Sequence, residues 1–276
     1  MGSSRKLIIN TLFIFFVTCL MWSAVSFPVQ AESCNDPDRF VEAPPIGCLT
    51  VTSYGPRQAQ VLVVFVHGDL SDGGPADYMR PHAQNLATAG LPDGRSLATA
   101  VLVRSGYPDG QGNVSDGSTN DRRDHYTAEV ADAVAAALSA LRQRTGADLL
   151  AVVGHSGGAA ITGAILGRHA EVIDRAMLVS CPCDVPRWRR ERGRSAWLQS
   201  LSPIDHIGTI LPTTRITLVT GADDGNTPPA LAQDYLRALK TAGVGGDFVL
   251  VPGAGHGFNR IAGSDAFKAA LADLLM

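Results

Sequence analysis

The chain has 276 residues, 45% of them apolar and 18% charged, with a formal net charge of −3. This is the composition of a folded globular protein with enough chain for one sizeable core, and it excludes a repeat or low-complexity protein. A mildly acidic chain has no general electrostatic pull toward nucleic acid, so no nucleic-acid partner is expected.

The N-terminus stands apart. Arg5 and Lys6 precede an apolar run from Leu7 to Val25, interrupted by Asn10, Thr11, Thr18, Cys19 and Ser23, and small residues close the segment at Ala31. The pattern predicts a secretory signal peptide over 1–31, cleaved after Ala31, and a secreted or periplasmic mature protein with no stable membrane insertion. The run is nearly long enough to span a bilayer, so an uncleaved anchor is the alternative. Residues 32–276 are expected to form a single domain.

Cleavage leaves Cys34, Cys48, Cys181 and Cys183. An even count in an exported chain points to disulfides. Cys34–Cys48 is the favoured pair, because it would tie down the mature N-terminus. Cys181–Cys183 would close a very small ring. The C-P-C spacing also admits a zinc site, but no C-x-x-C or His pair accompanies it, and no metal is expected.

In chain order, "VLVVFVHG" (61–68) is a continuous apolar run, the mark of a strand buried on both faces of a parallel sheet. A helix is expected over 76–89 and a second buried strand over 97–103. Residues 104–124 are polar and rich in Gly, Asp and Asn, a loop long enough to suggest function. Thr127 and Gly146 bracket a helix over 127–144 as N-cap and terminator. "DLLAVVG" (148–154) is a strand running into "GHSGG" (154–158), and an alanine-rich helix follows. Further strands are expected over 175–180, 215–221 and 247–253, with helices over 228–241 and 263–275. Strands alternating with helices predict an α/β fold with a mostly parallel sheet, helices on both of its faces and right-handed crossovers.

Ser156 thus lies on a sharp turn between a strand and a helix. Gly154 and Gly158 would let strand and helix approach closely, and the helix N-terminus favours developing negative charge. His256 sits between Gly255 and Gly257 in the loop after the last strand, free to turn its ring toward a serine. His155 is in the turn itself and cannot also act as the base. His82, His125, His169 and His206 are expected to be solvated or structural.

Four motifs, "HGD" (67–69), "GHSGG" (154–158), "GADDGNTPP" (221–229) and "GAGHGF" (253–258), each follow an expected strand. In this order they make residues 48–276 resemble the α/β-hydrolase superfamily, in which nucleophile, acid and histidine follow one another along the chain. "SPIDH" (202–206) ahead of the acid strand is similar to the prolyl-oligopeptidase and dienelactone-hydrolase branches. The resemblance implies an α/β-hydrolase fold with a minimal cap and a Ser156–His256–Asp224 triad. Asp223 is the alternative acid. It implies oxyanion donors at the backbone N–H groups of Gly157 and Asp69, and a loop-shaping role for His67. The Asp69 side chain would have to point to solvent to stay clear of an oxyanion.

No cofactor is implied. The expected substrate is a small-molecule ester, with peptide cleavage of the prolyl-oligopeptidase type as the runner-up and a non-catalytic binding protein as the reading from another class. All three triad types are present, which favours an enzyme. "RWRRERGR" (187–194) carries five arginines. It reads as a solvated helix face, or as a basic rim attracting anionic substrates. Residues 104–113 lie where relatives contact substrate. Oligomeric state is not legible.

Overall fold

The computed structural model describes residues 2, 34–70 and 73–276. The expected signal peptide and its cleavage point fall outside the described residues.

Eight strands form one sheet: β1 (Phe40–Ala43), β2 (Gly47–Tyr54), β3 (Val61–Val66), β4 (Leu97–Leu102), β5 (Leu149–His155), β6 (Arg175–Val179), β7 (Arg215–Gly221) and β8 (Asp247–Val251). The spatial order is β1-β2-β4-β3-β5-β6-β7-β8. From β4 to β8 every pairing is parallel, while β1 and β2 join antiparallel at one edge. The apolar runs explain the central strands. Alternate residues point to opposite faces, so Leu62, Val64 and Val66 of β3 enter one core. Val61, Val63 and Phe65 enter the other.

Helices cover both faces, as the alternating pattern predicts. α2 (Ala128–Thr145), α3 (Gly157–Arg168), α4 (Val185–Glu191) and α5 (Pro229–Thr241) contribute to the first core. α1 (Arg80–Ala89), α6 (Phe258–Ala262) and α7 (Asp265–Leu275) contribute to the second. Thr127 caps α2 by accepting from the Val130 N–H, and Gly146 ends it in the left-handed conformation, as read from the sequence. α1 begins four residues later than expected, at Arg80 with Pro81 in its first turn, where the missing proline N–H is harmless. α7 begins at Asp265 because Ser264 caps it.

The edge strands β1 and β2 were not anticipated. Pro44, Pro45 and Gly47 interrupt the segment and make it look like loop. Cys34–Cys48 ties the chain to β2, the expected disulfide. Cys181 and Cys183 are bonded to each other as well, so the very small ring does form. No described helix is long and apolar enough to cross a membrane.

Candidate active site

The chain leaves β3 toward β4 on one side and returns to place β5 on the other. At such a reversal the crossovers diverge, and a crevice opens beyond the carboxyl ends of the two strands. Val66 and Gly154 are paired in register, so the residues after β3 and β5 arrive level at this crevice. Those residues are His67, Gly68 and Asp69 on one side and Ser156 on the other.

Ser156 is the single residue between β5 and α3, with φ 51° and ψ −116°. That is left-handed territory for a side-chain-bearing residue, and strain there persists only where the surroundings enforce it. They do so through close packing. A Cβ at Gly158 would collide with the carbonyls of Val66 and His67, and one at Gly154 would lie 2.8 Å from the Ala159 Cα. The Ser156 N–H donates to Val179 O at 2.9 Å, anchoring the turn to β6. Gly157 opens α3, so its N–H has no helical acceptor and sits at the positive end of the helix dipole.

His256, between β8 and α6, reaches Ser156 Oγ with Nε2 at 3.0 Å. Its Nδ1 lies 2.9 Å from Asp224 Oδ2. Asp224, in the turn after β7, is almost fully buried. Its Oδ1 accepts from the N–H groups of Asn226 and Thr227, each at 2.9 Å, and its Oδ2 accepts from the Thr227 hydroxyl at 2.8 Å. Burial alone would raise its pKa, but the hydrogen bond and charge of His256, with the Thr227 donors, hold it at about 2. An ionised Asp224 requires the proton on Nδ1 of His256, which leaves Nε2 as an acceptor for the serine hydroxyl. Asn226 Nδ2 also lies 3.2 Å from that Nε2. Asp223, the alternative acid, is exposed.

Asp69 departs from expectation. Its side chain does not point to solvent. Oδ1 accepts from Arg104 Nη2 at 2.8 Å and Oδ2 from the Tyr126 hydroxyl at 2.6 Å. Arg104 is fully buried; it also donates to His67 O and to His125 Nδ1. Burial would raise the Asp69 carboxyl, but Arg104 and Tyr126 hold it below the usual carboxylate range. A Cβ at Gly157 would stand 2.6 Å from Asp69 Oδ1, so the two expected oxyanion donors belong to residues in contact. Sequence reading missed Arg104, an arginine at the end of a buried strand.

The other histidines around the site are neutral scaffolding. His67 Nδ1 donates to Gly68 O, and its Nε2 accepts from the Arg104 N–H. Burial, with Arg104 close by, pushes it to about 3. His125, buried beside Arg104, is at about 4. His155 binds the Tyr78 hydroxyl and His256 O, and burial with the neighbouring His256 brings it to about 4.

A cavity of about 400 Å³ opens over Ser156 and His256. Trp188, Arg189, Arg194 and Trp197 also line it, as do Asp121 and Arg122. None of residues 104–113, where substrate contacts were expected, is among its lining residues. Asp109 instead folds that segment onto itself, accepting from Gln111 N, Asn113 N and Asn113 Nδ2. The five arginines separate. Arg187 pairs with Glu191 and Asp234, Arg192 binds Gly225 O, and Arg190 is exposed. Only Arg189 and Arg194 reach the cavity.

A mostly parallel sheet with helices on both faces and a serine on a strained strand-to-helix turn is the architecture of the α/β hydrolases, and the chain is a serine hydrolase. Residues 107–272 match the prolyl oligopeptidase family, and the chain belongs to that family. Among solved structures it is similar to a puromycin hydrolase, with TM-score 0.65 and 20% identity over 86% of this chain and 38% of that one. An acylaminoacyl peptidase from Pyrococcus horikoshii gives TM-score 0.64 and 14% identity, over 86% of this chain and 41% of that one. The esterase Est2 of Thermogutta terrifontis gives TM-score 0.62 and 18% identity, over 86% of this chain and 92% of that one. The chain therefore spans about two fifths of the first two relatives and nearly all of the esterase. No curated protein sequence matches it.

Proposed function

We propose that the chain is an exported enzyme that hydrolyses carboxylic esters through an acyl-enzyme, with Ser156 as nucleophile, His256 as general base and Asp224 as the acid that orients it. The observation that carries this reading is the continuous line of contacts from Ser156 Oγ to His256 Nε2 at 3.0 Å and from His256 Nδ1 to Asp224 Oδ2 at 2.9 Å.

Ser156 attacks the ester carbonyl while His256 Nε2 takes its proton. Asp224 stabilises the resulting imidazolium. The carbonyl oxygen, now negative, is held by the N–H groups of Asp69 and Gly157; loss of one such donor typically lowers the rate by about 10²–10³. His256 returns the proton to the leaving alkoxide. A water then attacks the acyl-enzyme with His256 again as base.

Esters lead because the chain matches the esterase along most of that protein's length, and because no large cap stands between β6 and β7. Family membership favours a second reading, a serine peptidase of the prolyl-oligopeptidase type. Residues 1–31 act as a cleaved export signal in this proposal, and 32–276 as one catalytic domain. Two disulfides are consistent with an oxidising compartment.

Labelling by a fluorophosphonate, mapped to Ser156 by mass spectrometry, tests the nucleophile. Absence of labelling overturns the enzyme reading. p-Nitrophenyl esters assayed beside aminoacyl-p-nitroanilides separate esterase from peptidase.

A further inference from the structure

Arg189 and Arg194 share the cavity with Ser156. The Arg194 N–H donates to Arg189 O at 2.9 Å, which keeps the two residues together. Both guanidinium groups lie over the ring of Trp188, at 5.7 and 5.6 Å, and Arg189 also lies 4.4 Å from the centre of the Trp197 ring. Arg189 is nearly buried. Its Nε donates to Ser195 O at 2.8 Å, which leaves its terminal nitrogens. Among the described residues neither arginine has a carboxylate partner, whereas Arg187, on the same short helix, has two.

Arg189, nearly buried against the ring faces, and Arg194, exposed beside it, are like charges that repel one another. The tryptophan faces offset part of this. Burial, reinforced by Arg194, lowers the pKa of Arg189. The remaining imbalance is what an incoming anion would relieve. The acidic groups on the cavity do not relieve it. Asp69 is committed to Arg104 at 2.8 Å, and Asp124, which attracts Arg189 from further off, accepts from the N–H groups of Leu198, Gln199 and Ser200. A guanidinium fork matches the two oxygens of a carboxylate. At about 400 Å³ the space suits a small ligand.

We infer that the ester cleaved at Ser156 carries a free carboxylate, which Arg189 and Arg194 bind. This rests on the hydrolase reading above and names its substrate class. Trp188 links the two functions: its Nε1 donates to Asn226 O at 2.9 Å, and Asn226 faces His256.

The test compares p-nitrophenyl hydrogen glutarate with its neutral methyl ester at low ionic strength. A hydrogen bond to a charged group is worth enough for the acid to gain at least about tenfold in kcat/KM. The ratio should fall toward one in Arg194→Gln and as salt rises, and should persist in Arg190→Gln. A wild-type ratio near one overturns the inference while leaving the hydrolase intact. If neither ester is cleaved, the ester-hydrolysis reading fails, and calorimetry on Ser156→Ala decides the binding claim. Glutarate binding that Arg194→Gln abolishes supports it. Equal or absent binding of glutarate and dimethyl glutarate overturns it.

Discussion

The carboxylate of Asp69 is held 2.8 Å from the guanidinium of Arg104, a side chain with no solvent exposure. In the proposed mechanism the pair lies beside the two backbone donors, since a Cβ at Gly157 would meet both Asp69 Oδ1 and Arg104 Nη1. It offsets the charge of the Asp69 carboxylate beside that proposed oxyanion site, and it ties the loop that carries the Asp69 N–H to Arg104. Arg104→Met should lower stability by about 3–5 kcal/mol, because it strands a buried carboxylate. Its kcat should fall more than KM changes. Asp69→Asn keeps the shape, removes the charge and should do less harm to catalysis. Urea unfolding and steady-state kinetics on both variants check this.

Ser156→Ala and His256→Ala should each lower kcat by more than about 10³, and the double variant should be no worse than either, since the residues act as one unit. Asp224→Asn should be severe and Asp223→Asn nearly silent. Near-normal kcat in Asp224→Asn would move the acid elsewhere.

Acid should destabilise the fold through its buried histidines. His67, His125 and His155 are held neutral, at about 3, about 4 and about 4. An unfolded histidine titrates near ~6.5. Because the folded values are depressed, their stabilising contribution is complete above that value and is lost as pH falls through the folded ones. Near pH 5 the unfolded chain should hold about three more protons, giving a slope of about 4 kcal/mol per pH unit. Asp224, at about 2, adds its loss only below about pH 4. Urea unfolding between pH 7 and 5 measures the slope, and His125→Gln should remove about one proton from it.

The two disulfides should contribute unequally. Cys34 and Cys48 are 14 positions apart, and closing a loop of that size is worth about 3 kcal/mol in chain entropy. Cys181 and Cys183 are 2 apart, so their contribution should be about half as large. Urea midpoints of the paired Cys→Ala variants distinguish them.

Much of this was legible because the central strands are buried on both faces and so read as unbroken apolar runs, each ending at a motif. The strand-to-helix turn at Ser156 needed only its glycines and its position. The edge strands were not legible, since proline and glycine mask them and their pairing is antiparallel. The inward turn of Asp69 depends on Arg104, which is 35 positions away, and no local pattern links the two. The arginine cluster was visible as composition, but its division was not. Trp188 and Trp197, set among the arginines, were the available signal that part of this segment is buried.

Those tryptophans have an optical consequence. The chain contains three tryptophans, and Trp22 lies outside the described residues. A protein beginning at Glu32 would keep only Trp188 and Trp197, whose rings meet edge to face at 5.7 Å in the cavity wall. Its entire indole emission would then originate beside the nucleophile. Unlabelled enzyme would thus report ligand entry, acylation and release as changes in its own fluorescence, without a chromogenic substrate.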